Sequence, residues 1–378
     1  MKARIVTAIA LGLVVAAAAQ GVGSAATTHG SAFGRGLKLG AVIATAPPVT
    51  VTGPWLVWNA KSCKYEKAAN PPSSYSAKLR KVSGSPQIGY MYYGDFDAFG
   101  IANSKNIKAV AARAGFKLNS YNLKFPSATE PLANAKTSVL KKDLGVMEAN
   151  LDDKLIPRFL DIIQNKGCIP NIQMYLEIAG LPGFGAKWTD AGTTQGTWFA
   201  QQAKAKGWKP AETALVECTD PDNGPSVNIM FETAPKALKA SGFAIPSSNI
   251  FKVVCKYQTK PSAETTITDW FTGHPKGKFP HVMLNSIDDE RMQGITNAVR
   301  RANRKGDVLT IATGADGLGV KQIKSGTEMA SVAYFPERYG DWLVPILEDI
   351  LAGNPVPSFT GSGLVIIDKQ NVQKYYPG

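Results

Sequence analysis

From Gln87 to the C-terminus the apolar residues follow two alternating rhythms. Short apolar runs rich in β-branched residues read as strands. Segments with apolar residues three and four apart read as helices. The strand-like runs are Ile88–Tyr92, Phe116–Asn122, Val146–Asn150 and Ile169–Tyr175, then Ala214–Glu217, Phe251–Val254, His281–Leu284 and Val308–Thr313. Helical patterns separate them at Ile101–Ala114, Glu130–Lys142, Lys154–Asn165, Thr193–Lys206, Val227–Ala240, Ala263–Phe271 and Asp289–Ala302. Ile107, Val110 and Ala111 share a face of the first helix, and Leu155, Phe159, Ile162 and Ile163 a face of the third. Gly115 and Gly167 fall where helix C-caps belong.

Strand–helix alternation of this kind implies right-handed βαβ units, hence parallel sheets with helices on both faces. The units are too many for one sheet. The expected fold is therefore α/β, with two doubly wound parallel-sheet lobes joined by a hinge and a break near Asp190. Lobe 1 is expected at 87–190 with a C-terminal return over 335–378, and lobe 2 at 191–334. Open parallel sheets bind ligands beyond the carboxyl ends of their strands, where helix N-termini meet. Two facing sheets put that site in the cleft between them, closed by hinge motion.

The first 86 residues behave differently. Lys2 and Arg4 precede an apolar run, Ile5–Ala19, and small residues follow at Gly23-Ser24-Ala25-Ala26. Residues 1–26 thus read as a cleaved signal peptide, with an uncleaved anchor as the alternative. No cysteine lies near this segment, so a lipid anchor is not expected, and a periplasmic or extracellular location is. Residues 27–86 are rich in Gly, Pro, Ser, Ala and Lys around one apolar patch, Trp55–Trp58. They read as a linker or a loosely docked extension.

The net charge of +13 raises the question of nucleic acid. Lys and Arg are scattered, apart from Arg300-Arg301 and Arg304-Lys305, and no nucleic-acid-binding motif accompanies them. The charge reads as a solvated surface, and no nucleic-acid partner is expected. The cysteines are Cys63, Cys168, Cys218 and Cys255, without CxxC spacing and with three histidines in the chain, so no zinc site is expected. Cys218 and Cys255 each follow a strand-like run. If those strands are neighbours the two sulfurs can meet, leaving Cys63 for Cys168; four buried free thiols are the alternative.

The loop Gly94-Asp95-Phe96-Asp97-Ala98-Phe99-Gly100 interleaves carboxylates and aromatics directly before a helix. Carboxylates accept hydrogen bonds from sugar hydroxyls, and aromatic faces cover the C–H side of the ring. Equally, Asp97 can cap the helix and Phe99 can enter the core. Asp190, Asp288, Asp289 and Asp316 stand at strand ends on the same edge of the implied sheets. Each alone reads as a helix cap, and together they suit a binding edge. No nucleophile elbow, P-loop or HExxH motif is present, and no partners are evident for His29, His274 and His281, so no catalytic set emerges. The glycine spacing of Gly314–Gly319 resembles a dinucleotide loop only loosely. No cofactor or metal is expected.

The same stretches resemble the type I periplasmic binding proteins of the ribose and galactose class. "IGYMYYGDFDAFG" is similar to the family's first strand and binding loop, and "VMEANLDD" to its third strand. "TDAGTTQGTWFAQQA" resembles the segment opening the second lobe. "HVMLNSIDDERMQGITNAVRRA", "VLTIATGADG" and the tail "DKQNVQKYYP" follow in family order. The resemblance implies ligand roles for Asp95, Phe96, Phe99, Asp190, Asp288 and Asp316, with Tyr334 where the family often has Gln and Asn228 nearest the usual Arg. It implies a monomeric, non-catalytic solute-binding protein that delivers a small polar ligand, a sugar above all, to an ABC permease. A ligand-sensing receptor, an amine or polyol binder, a transcription regulator and an envelope carbohydrate enzyme are the alternatives. The loss of that Arg, with Asp where the first loop usually has Asn, would suit an amino-sugar, a polyol or a cationic solute.

Overall fold

The computed structural model describes residues 39–45, 50–92, 97–124, 127–149, 152–256 and 260–377. The signal-peptide segment lies outside them. The chain opens with β1 (Leu39–Thr45), β2 (Thr50–Asn59), β3 (Lys64–Lys67) and β4 (Lys78–Val82). A first α/β series follows: β5 (Gln87–Tyr92), α1 (Ala98–Ala114), β6 (Lys117–Asn122), α2 (Glu130–Lys141) and β7 (Val146–Glu148). It continues through α3 (Ile156–Leu160), extended by a π-helical turn over Asp161–Lys166, to β8 (Asn171–Met174) and β9 (Gly183–Gly185). The second series runs α4 (Trp188–Ala205), β10 (Thr213–Thr219), α5 (Gly224–Asn228), α6 (Met230–Ala240), β11 (Ile250–Val254) and α7 (Lys260–Gly273). Then come β12 (His281–Ser286), α8 (Asp289–Arg301), β13 (Val308–Gly314), α9 (Gly317–Ser325) and β14 (Ala330–Ala333). The C-terminal part holds α10 (Gly340–Leu351), β15 (Val356–Gly361), β16 (Val365–Asp368) and α11 (Val372–Tyr375).

These strands form two large sheets. One has the order β3-β2-β15-β9-β8-β7-β5-β6, the other β11-β10-β12-β13-β14-β16. Both are parallel except at one edge: β2 and β3 run antiparallel in the first, β16 in the second. In β5, Ile88 to Met91 are all buried, and in β13 every residue is. Continuous burial of this kind marks strands covered on both faces.

Helices supply the cover. Gly192 and Gly196 let α4 approach α6 closely: a Cβ at Gly192 would lie 2.2 Å from the Met230 carbonyl, and one at Gly196 2.1 Å from that of Ala234. Phe199 and Phe231 are buried beside this contact, each worth roughly 1.5–3 kcal/mol of transfer free energy. Substitution of either glycine would push the helices apart.

Two expectations are corrected. Residues 50–82 do not form a loosely docked linker. β2 pairs with β15, and Tyr65 Oη donates to the Asn171 carbonyl at 2.9 Å. Arg80 binds Asp349 of α10 at 2.9 Å while its amide donates to Glu348 at 3.0 Å. Cys63 is bonded to Cys168 across 105 residues, a loop length for which the chain-entropy model gives about 4–5 kcal/mol. Low hydropathy and many turn residues conceal this segment because its strands sit at a half-exposed sheet edge. The C-terminal stretch is also divided. α10 and β15 join the first sheet, but β16 pairs with β14 and so returns to the second. Three crossovers therefore connect the lobes. In the second sheet Cys218 is bonded to Cys255 where β10 and β11 run side by side.

Candidate functional site

Three helix N-termini meet where the carboxyl ends of the two sheets face each other. Each is capped by its own aspartate. Asp97 Oδ1 accepts from Gly100 N at 2.5 Å at the start of α1. Asp288 Oδ1 accepts from Arg291 N at 2.7 Å at α8. Asp316 Oδ1 accepts from Leu318 N and Gly319 N at 2.8 and 3.0 Å at α9. Capping and the helix dipole both stabilise a negative charge at such a position. α1 belongs to lobe 1 and the other two to lobe 2, so the acids gather from both sides.

Glu290 is drawn between them. Its Oε1 accepts from the Ala98 amide at 3.3 Å, a hydrogen bond that joins the lobes. Burial first, and then the charges of Asp316, Asp288 and Asp97, push the Glu290 carboxyl up to about 8 against the lowering effect of the Ala98 amide. Asp316 is raised to about 6, by burial first and then by Asp97 and Asp288, against the lowering effect of its two backbone donors. Carboxylates crowded out of water share too few counter-charges to stay ionised together.

Behind this front lies a second layer. Asp289 is fully buried and accepts from Ser331 Oγ at 2.8 Å and Asp316 N at 3.1 Å. Burial and the nearby Glu328 and Asp316 hold its carboxyl well above the usual range. A Cβ on Gly319 would stand 2.3 Å from the Asp289 carboxyl carbon, so only glycine lets α9 begin over this acid. Arg291 approaches from below. Its guanidinium binds Asp220 at 2.5 Å, Asp288, and the Cys255 carbonyl at 2.7 Å. It thereby ties the ends of β10 and β11 to the start of α8.

Aromatic rings line the same junction. Phe99 lies 6.5 Å from Tyr334, 6.0 Å from Tyr175 and 5.8 Å from Tyr339, and Tyr334 meets Trp188 edge-on at 5.8 Å. Trp188 Nε1 donates to the Tyr175 carbonyl at 2.7 Å, fixing the indole at the first crossover. A pocket of about 340 Å³ continues along the hinge side, between Tyr175, Glu177 and Trp188 and the residues Pro225, Ser226 and Ile229. Ser226 Oγ donates to Asp153 at 2.7 Å, a second bond between the lobes. A cavity of this size holds a monosaccharide-sized guest.

The residues singled out in the sequence distribute unevenly. Phe99, Asp288, Asp316 and Tyr334 converge at this junction. Asp190 does not: it lies in the first turn of α4 and lines a separate pocket of about 250 Å³ with Lys187, Thr194, Ser362 and Thr50. The break near Asp190 falls inside α4, and Asp190 faces the ends of β9 and β15 at Gly185 and Gly361 rather than the acid junction. Asn228 is spent on structure, its amide donating to the Asp220 and Gly224 carbonyls at 2.9 Å each. Asp95 and Phe96 lie outside the described residues. Glu290, Trp188 and Tyr175 were not singled out. Glu290 is the last of three consecutive acids, and Trp188 directly precedes a helix-opening "TDAG" run, both visible signals. Among the described residues, no cluster of metal-ligating side chains is found.

Residues 180–355 match the family model described as "Periplasmic binding protein domain". The chain has the type I periplasmic binding protein fold. Solved structures of the same fold include the myo-inositol binding protein of Caulobacter, bound to myo-inositol, at 19% identity and a TM-score of 0.65. That alignment covers 78% of this chain and 97% of that one. A glucose-galactose binding protein from Geobacillus stearothermophilus aligns at 17% identity and a TM-score of 0.64, covering 76% and 99%. An ABC transporter periplasmic solute binding protein from Actinobacillus succinogenes, with bound D-allose, aligns at 17% identity and a TM-score of 0.63, covering 77% and 100%. These neighbours are binding proteins. No curated protein matches the sequence. Among the described residues no helix is long and apolar enough to cross a membrane.

Proposed function

We propose that this chain is an extracytoplasmic, non-catalytic solute-binding protein that takes a sugar or polyol into the interlobe junction and presents it to an ABC importer. The observation that carries the reading is the meeting of acids from both lobes, Asp97 with Asp288, Glu290 and Asp316, beside Phe99, Tyr334 and Trp188. Carboxylates accept two hydrogen bonds from neighbouring hydroxyls, and rings cover the apolar face of a sugar. Because the contributing groups lie on different lobes, a guest that touches both favours closure by its differential affinity for the closed form. Export, the deduced signal peptide over 1–26 and the boundaries of the lobes at 190 and 334 belong to the same reading.

A thermal-shift screen of sugars, polyols and their amines on the protein lacking residues 1–26 tests it. A ligand at one hundred times its dissociation constant stabilises the folded state by about 2.7 kcal/mol. The expected result is a melting-temperature rise with one chemical class, reduced by Phe99→Ala. No rise with any of the classes, or a rise indifferent to Phe99→Ala, would count against the reading.

A further inference from the structure

We propose that the end of lobe 1 remote from the junction docks on an anionic lipid surface, with Leu140 entering the interface among exposed lysines. The strands of lobe 1 carry the junction at their carboxyl ends. Their amino ends form a base, and the connections there bring lysines together from separate segments. Lys117 opens β6 and pairs with Gln87 of β5, and the Leu144 amide after α2 donates to the Gln87 carbonyl at 2.8 Å. Lys141 and Lys142 end α2 at the same place. A Cβ on Gly167 would lie 2.6 Å from Val139 of α2, and the neighbouring Cys168 is bonded to Cys63, which stands between Lys61 and Lys64. Lys81 precedes Val82, whose carbonyl lies 3.0 Å from where a Cβ on Gly115 would stand, just before Lys117.

These lysines are all exposed, and none is in an ion pair among the described residues. Other cations at this end are taken, Arg113 by Asp341 and Lys166 by Asp161. The acids offer little against the lysines: Asp143 is buried, and Glu66 is hydrogen-bonded to Asn59 and Ser62. Two further observations favour a membrane over a dissolved polyanion. Leu140, beside Lys141, is 81% exposed, the most of any large apolar side chain among the described residues. An apolar side chain among lysines suits insertion at the headgroup boundary. Lysines are compact point charges, fit for diffuse attraction to anionic headgroups rather than forked recognition of one phosphate. The chain also enters the fold here: Leu39 pairs with Val82, and residues 27–38 before it carry Arg35 and Lys38 and no acid. Docking by this end leaves the junction uncovered.

Co-sedimentation of the protein lacking residues 1–26 tests this, with vesicles of phosphatidylcholine alone and of phosphatidylcholine mixed with phosphatidylglycerol. The expected result is roughly tenfold or more tighter binding to the anionic vesicles, falling with added salt. Lys64→Glu, Lys117→Glu and Lys142→Glu together should abolish that gain while the melting temperature holds. The same charge change on lobe 2, Lys206→Glu with Lys236→Glu and Lys239→Glu, should cost much less. Leu140→Ser should weaken vesicle binding severalfold and leave retention on soluble polyphosphate unchanged. Equal binding to neutral vesicles would overturn the inference, and so would an equal loss in the two triple variants, which would make net charge alone responsible. Indifference to Leu140→Ser, with full competition by polyphosphate, would overturn it in favour of a dissolved or polymeric anion.

Discussion

The two lobes bury acids in opposite ways. In lobe 1, Asp143 is wholly buried and is met by neutral donors: Asn119 Nδ2 at 2.5 Å, Tyr121 Oη at 2.6 Å and Ser138 Oγ at 2.7 Å. It fastens β6, α2 and the turn after α2. In lobe 2, Asp289 lies against Glu328 and Asp316, with Glu290 and Asp288 close by. Burial and these neighbours drive Asp289 and Glu328 well above the usual carboxylate range. The first arrangement is a scaffold. The second drives its acids toward the protonated form beside the face that meets the other lobe.

Breaking the charge hub below the site has the largest expected effect. Arg291→Met would leave Asp220 and Asp288 without their counter-charge in a buried position, and such losses cost about 3–5 kcal/mol. Urea unfolding should show it as a lowered midpoint with lobe 2 affected first. Asp143→Asn should come next. It turns one acceptor into a donor facing donors, at about 1–3 kcal/mol, with no effect on solute affinity. Glu328→Gln is expected to sharpen the contrast: it relieves repulsion and should leave stability at pH 8 unchanged or improve it by about 1 kcal/mol. A loss as large as that of the Asp143 variant would mean that the two acids serve the same purpose.

The smallest effect is a pH slope. Glu290 stands near 8 and Asp316 near 6 in the folded chain, against ordinary values of 4.5 and 3.8. Both hold their proton more tightly when folded. Their contribution is thus present at low pH and is lost as the pH rises from about 4 through 8. Urea midpoints compared between pH 5 and pH 8 should fall more steeply for the parent protein than for Glu290→Gln.

Much of this architecture is legible in the sequence because parallel strands buried on both faces leave continuous apolar runs. Ile88–Tyr92 and Val308–Thr313 show that pattern, and the structure puts β5 and β13 over them. The family-like order of motifs adds the two-lobed fold. The N-terminal strands escape because β2 buries only Leu56 and Trp58 among exposed and half-buried residues, and because what anchors the segment, β15 and Cys168, is distant in sequence. At the site, capping acids announce themselves through their place before a helix, so Asp288 and Asp316 stand out. Whether a given acid reaches the junction depends on where its helix begins. Asp190 fails there because α4 starts earlier, at Trp188. Glu290 shows in the sequence only as the last of three consecutive acids, since it is the tertiary approach of α1 that makes the second residue of α8 an interlobe group.

The most direct test is a crystal structure of the protein with a solute selected by the thermal-shift screen. The account predicts density between Phe99 and Tyr334 on one side and Glu290 and Asp316 on the other, with the guest touching both lobes. Density in the pocket beside Asp190 and Ser362, with the acid junction left untouched, would contradict it.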